Sequence, residues 1–265
     1  MKVRPPAVAG LFYPADRDTL AAAVDELLAA APEPSGVAPK ALVAPHAGYI
    51  YSGPIAATAY ASVRARKQEI RRVVILGPAH RVAFEGVALP SVDAFRTPLG
   101  DVRVDREGRG TLALPPAVVV DDRPHEQEHA IEVQLPFLQR LLTSFTIVPM
   151  IVGRASDADV AAIVDAAWGG DETLVVVSSD LSHYETYRDA AGHDRRTAAA
   201  ILTRDCEAIG PYDACGAGPL RGLLASESSR ELLVDALDLR SSGDTAGAHD
   251  RVVGYGAFAL SEAQA

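Results

Sequence analysis

Leu174-Val175-Val176-Val177-Ser178-Ser179-Asp180-Leu181-Ser182-His183 passes from an unbroken apolar stretch, through a short polar turn, to a histidine. Two other segments follow the same grammar. One is Ala41-Leu42-Val43-Ala44-Pro45-His46, the other Val73-Val74-Ile75-Leu76-Gly77-Pro78-Ala79-His80. Apolar runs bounded by Gly, Pro or Ser mark strands buried on both faces of a parallel sheet. In such sheets ligands bind in the crevice beyond the carboxyl ends of the strands. Three imidazoles carried to one such edge can converge despite their separation in sequence, as a metal or acid–base site requires.

Between these strands the pattern turns helical. Asp16 or Asp18 can cap a helix running to about Ala31, with Leu20, Val24, Leu27 and Leu28 as its apolar stripe. The segment Ala31 to Gly36 ends it. Ala-rich residues 51–66 predict a second helix, and Glu126 to Leu142 one started or interrupted by Pro136. Residues 158–168, 193–203 and 219–239 read as helices; 86–90, 102–104, 145–152 and 251–260 read as strands. Strands alternating with helices call for an α/β fold, a mainly parallel sheet with helices on both faces in a three-layer α/β/α sandwich. With no internal repeat and no dividing linker, residues 1–265 are expected to form one domain.

Bulk properties narrow the function classes. The 265 residues are 48% apolar, enough for a full core. A net charge of −10 argues against nucleic acid or an anionic membrane as partner, since either needs a basic face. No apolar run approaches the roughly 18 residues of a membrane-spanning helix, and the first residues lack a secretion signal's apolar segment. Cys206 and Cys215 are the two cysteines, too few for a disulfide framework. A cytoplasmic location is expected.

His46 and His80 sit at equivalent strand ends, each after a proline and close to a small residue. Either can simply be a polar strand cap. Two at matching positions favour a ligand role, because neutral imidazole is the commonest metal-binding side chain. Cys215, in Asp213-Ala214-Cys215-Gly216-Ala217-Gly218-Pro219, precedes a predicted helix. The unpaired N–H groups there favour a thiolate, the form that binds metal or attacks carbon. Cys206 reads as an apolar filler. Asp180 and His183 are within reach of each other as an acid–base pair, or else form a capping turn. His125-Glu126-Gln127-Glu128-His129 with Glu132 is a dense cluster without zinc-protease spacing. If helical, it puts His129 and Glu132 on one face. His125, His129, Glu132 and Tyr49 are expected to line the pocket.

Together these segments resemble the Memo family, whose bacterial members are often called AmmeMemoRadiSam system protein B. The resemblance is carried by Ala9-Gly10-Leu11-Phe12-Tyr13-Pro14-Ala15-Asp16, Ala44-Pro45-His46-Ala47-Gly48-Tyr49, Leu76-Gly77-Pro78-Ala79-His80 and Arg96-Thr97-Pro98-Leu99-Gly100. Glu128-His129-Ala130-Ile131-Glu132, Ser178 to His183, and Cys215-Gly216 complete it. It implies a fold like that of class III extradiol dioxygenases. It implies metal ligation by His46, His80 and Cys215, with Asp180 and His183 flanking the pocket and His183 as acid–base residue. It also implies a functional link to a radical-SAM protein and an AMMECR-type protein. The dioxygenases use a carboxylate where Cys215 stands, and a thiolate shifts preference toward copper or zinc. Iron or copper is the expected cofactor, with zinc as the alternative. Dioxygenase activity does not transfer with the fold.

Three readings follow. The first is a metal-dependent oxidoreductase using iron or copper in a His-His-Cys pocket, its substrate, a small molecule or a peptide, left open. The second is a peptide- or protein-binding module, as relatives in animals are described as adaptors for phosphorylated receptor peptides. The third is a hydrolase using zinc, or Cys215 as nucleophile with His183 as base.

Overall fold

The computed structural model describes residues 1–33, 36–105 and 116–263. The turn expected at Ala31 to Gly36 includes Pro34 and Ser35, which lie outside the described residues. In chain order the elements begin with β1 (Val3–Arg4), α1 (Arg17–Ala30), β2 (Ala41–Ala44), α2 (Tyr49–Ala61) and β3 (Arg72–Pro78). Next come β4 (Val87–Leu89), β5 (Ala94–Thr97), β6 (Gly100–Arg103), β7 (Val118–Val120), α3 (Arg123–Glu126) and α4 (Leu135–Leu141). Then follow β8 (Thr146–Val152), α5 (Asp157–Ala167), β9 (Thr173–Ser178), β10 (His183–Glu185) and α6 (Tyr187–Thr203). The chain closes with α7 (Ala217–Ala225), β11 (Leu233–Ser241) and β12 (Val252–Ser261).

The three strand–turn–histidine segments supply adjacent strands. β2, β9, β3 and β8 lie side by side in that order, all parallel. Ala44 pairs with Ser178, and Val177 with Leu76, so the three carboxyl ends are level. The flanks depart from the expected parallel pairing. β12 joins β2, and β4 joins β8, both antiparallel, and β12 also pairs antiparallel with β10 and β11. The sheet is therefore mixed, with a parallel centre whose strands are buried on both faces. Because β12 runs against β2, its first residues lie at the same edge as the histidines. β1, β5 and β6 form a separate small sheet.

Side chains leave a strand alternately to its two faces. Leu42, Val73, Ile75, Leu174 and Val176 pack with Leu20 and Val24 of α1, Ile55 of α2 and Phe137 of α4. Their neighbours Val43, Val74, Leu76, Val175 and Val177 pack with Val160 of α5, Ile201 of α6 and Leu220 of α7. Two helical layers thus cover one sheet, the three-layer arrangement expected. Burying each such side chain contributes about 1.5–3 kcal/mol. Among the described residues no helix is long and apolar enough to cross a membrane.

Two expected helices are different. The one over 219–239 ends at Ala225, and Leu233–Ser241 is an edge strand paired with β12. The hydroxyls of Ser226 and Ser229 both donate to the Leu223 carbonyl in the last turn, competing there with continued helical pairing. The helix over 126–142 is broken into α3, a turn, a 3₁₀ segment at Glu132–Gln134, and α4. There the Glu128 carboxylate accepts the backbone N–H groups of His129 and Ala130. A continuous helix would turn those donors toward its own carbonyls.

Candidate metal centre at the carboxyl edge of the sheet

His46 follows β2, His80 follows β3, and Cys215 stands just before α7. One ligand atom from each lies within 4.8 Å of the other two. The Cys215 Sγ is 3.2 Å from His46 Nε2. Gly216 makes this approach possible: a Cβ there would fall 2.6 Å from the Ser179 Cβ. Its N–H donates to Ser179 Oγ, and the Cys215 N–H to the Asp180 carbonyl, which ties the cysteine loop to the end of β9.

The tautomer of His46 follows from its neighbours. Gln134 Nε2 donates to the Pro45 carbonyl and to Ser178 Oγ. Ser178 in turn spends its single proton on the Ala130 carbonyl. The remaining contact of Ser178 Oγ, at 2.8 Å to His46 Nδ1, must therefore be donated by the imidazole. Nε2 is left as a lone pair facing Cys215. Burial, with His80 nearby, pushes the His46 pKa down to about 3, so the ring is neutral.

The ring of His80 is oriented by another route. Its Nδ1 lies 2.9 Å from Glu128 Oε1, and its backbone N–H donates to Oε2. Burial raises the Glu128 pKa, but the hydrogen bonds from His80 and Ala130 outweigh it and hold it at about 2. An ionised carboxylate accepting from Nδ1 fixes the tautomer and orients Nε2, as outer partners of metal-bound histidines do. His80, Glu128 and His129 also form a group of the right size for an ion. With both Glu128 oxygens already accepting N–H bonds, its part is to support His80 rather than to ligate.

Burial, with Asp180 adding to it, pushes the lone Cys215 thiol up to about 12, against the thiolate expected from its position before a helix. A cation beside the sulfur reverses that preference by displacing the thiol proton. Two imidazole lone pairs and one displaceable thiol proton converging on one point fit a metal ion.

Asp180 differs from expectation. Its Oδ1 accepts the His46 backbone N–H at 2.7 Å, and its own N–H points to Cys215 Sγ at 3.3 Å. It holds two ligand loops together. His183 is oriented by the Leu181 carbonyl, 2.8 Å from its Nδ1, rather than by Asp180. Its exposed ring lines a cavity of about 650 Å³ together with His46, His80, His129 and Asp180.

The four residues expected to line the pocket separate. His129 does line it: its ring stacks on His80 at 4.7 Å and meets His46 edge-on at 5.2 Å. His125 does not. It is buried, bonded through Nε2 to the Ala88 carbonyl, and lines a different cavity beside Arg4. Glu132 is fully buried in an ion pair with Arg4 and accepts from the N–H groups of Ala7 and Val8. It anchors the amino-terminal segment. Tyr49 is also structural, donating to the Val133 carbonyl and packing on Tyr13 and Phe137. Ser178, Gln134 and Glu128, whose supporting roles the sequence reading missed, are polar residues at buried positions. An acid between two histidines is the signal that could have singled out Glu128.

Residues 4–259 match the family model described as Memo-like protein. MEMO1 family proteins of Aquifex aeolicus, Aeropyrum pernix and Methanopyrus kandleri are 34%, 36% and 38% identical to the chain. Each alignment covers 96% of this chain and 98% of the relative.

Proposed function

The chain belongs to the Memo family, and we propose that it acts as a metal-dependent oxidoreductase on a small molecule, with His46, His80 and Cys215 as the metal ligands. The observation that carries this is the convergence of two tautomer-fixed imidazoles and a thiol within 4.8 Å. A bound iron or copper ion would supply one-electron chemistry and polarise an oxygen of the substrate. His183 donates Nδ1–H to the Leu181 carbonyl, so its Nε2 is the atom to exchange a proton with a molecule in the cavity. Asp180 acts by holding the His46 and Cys215 loops in register. As a metal-free nucleophile the Cys215 thiol, held up to about 12, would be weak, which disfavours the thiol hydrolase.

Elemental analysis of the purified chain tests this reading. The wild type and His183→Ala should carry near-stoichiometric iron or copper. His46→Ala, His80→Ala and Cys215→Ser should lose most of it. Wild-type metal content in all three ligand variants would refute the proposed site.

A further inference from the structure

The cavity leads from the histidines to a mouth of different chemistry. Arg81 follows His80, and Arg251 stands just before β12; both are exposed and both line the opening. Among the described residues neither forms an ion pair with a carboxylate. Asp180, buried and already accepting an N–H, is the one carboxylate of the described lining. In a chain of net charge −10, two guanidiniums with no carboxylate partner among the described residues, at the mouth of a metal-site cavity, are a local reversal of sign.

Tyr184 stands beside them. Its backbone has φ +63°, a left-handed conformation that bulky residues rarely adopt. The pairing of β10 with β12 shifts register there, between His183 and Glu185, as at a bulge that re-aims a side chain. The residue is 65% exposed, with the Arg251 guanidinium 5.1 Å from the centroid of its ring. Leu11, also exposed, lines the same opening. A guanidinium lying over a ring keeps its in-plane N–H donors for an oxyanion, and the ring offers an apolar face.

We propose that the cavity mouth recognises a small molecule whose planar apolar body ends in an anionic group, a carboxylate or a phosphate. Arg81 and Arg251 hold the anion, and Tyr184 receives the planar body. The inference deepens the oxidoreductase reading, on which it rests for the cavity's role as substrate site.

Calorimetric titration of the whole chain, as purified and after metal addition, with benzoate, phenyl phosphate, inorganic phosphate and neutral benzamide tests it. At least one aromatic anion should bind about tenfold or more tighter than benzamide, and benzoate against phenyl phosphate tells carboxylate from phosphate. Arg81→Gln and Arg251→Gln should each weaken that anion about tenfold, the loss of one charge-assisted contact, without changing metal content. Tyr184→Ala should weaken the aromatic anion more than inorganic phosphate. Failure of both aromatic anions to bind, benzamide binding equally well, or wild-type anion affinity in the arginine variants would overturn the proposal. A chain that holds no metal yet binds the anion through its arginines would sink the oxidoreductase reading alone.

Discussion

The imidazole of His46 gives its Nδ1 proton to Ser178, whose Oγ lies 2.8 Å away at the end of the neighbouring strand. The donor geometry of the site is thus set by the pairing of β2 with β9, before any ligand arrives. Ser178→Ala removes the acceptor but not the ring. Metal affinity should fall about 10–100-fold, the usual effect of losing an outer partner of a histidine ligand. Competition against a chelator measures it, and an unchanged affinity would show that His46 needs no such support.

Gly216 offers a steric counterpart. A methyl group there meets Ser179 Cβ at 2.6 Å and the Ser178 carbonyl oxygen at 2.9 Å. Those neighbours belong to the buried end of β9 and cannot move away cheaply. Gly216→Ala should destabilise the chain by about 1–3 kcal/mol and push the Cys215 loop outward. Thermal unfolding and metal content should fall together in this variant. Loss of stability with metal content intact would mean that the strain is relieved elsewhere.

Glu132 should behave in the opposite way. Its carboxylate neutralises Arg4 and accepts from Ala7, Val8 and Tyr13, all distant from the ligands in sequence. Glu132→Ala leaves a buried guanidinium uncompensated, a loss of about 3–5 kcal/mol. Any fraction that remains folded should bind metal as the wild type does. Lower metal content per folded molecule would instead place Glu132 in the site.

What the sequence made legible is what local pattern controls. Apolar runs ending in Pro or Ser placed β2, β3 and β9, and with them His46 and His80, because a strand buried on both faces has a composition of its own. The fates of His125 and His129 were not legible. One cluster sends its two histidines to different cavities, and the choice depends on Arg4, whose partner Glu132 is 128 residues away. β11 was hidden for another reason. As an edge strand with a bulge after Ala236 it has no clean alternation, so its leucines imitate a helix. The bulge at Tyr184 depends on pairing with β12 and has no local signature.

His125 provides the pH test. Burial pushes its pKa down to about 4, whereas in the unfolded chain it titrates near its ordinary 6.5. Between those values the unfolded state binds a proton that the folded state does not, so stability rises with pH. The contribution is fully present above about pH 6.5 and is lost as pH falls toward 4, at about 1.4 kcal/mol per pH unit. His125→Gln can keep a donor for the Ala88 carbonyl while removing the titration. Denaturant unfolding of the wild type should therefore steepen in its pH dependence below about 6.5. The variant's slope should be shallower by about one proton. Equal slopes in the two proteins would mean that His125 takes up its proton in the folded state.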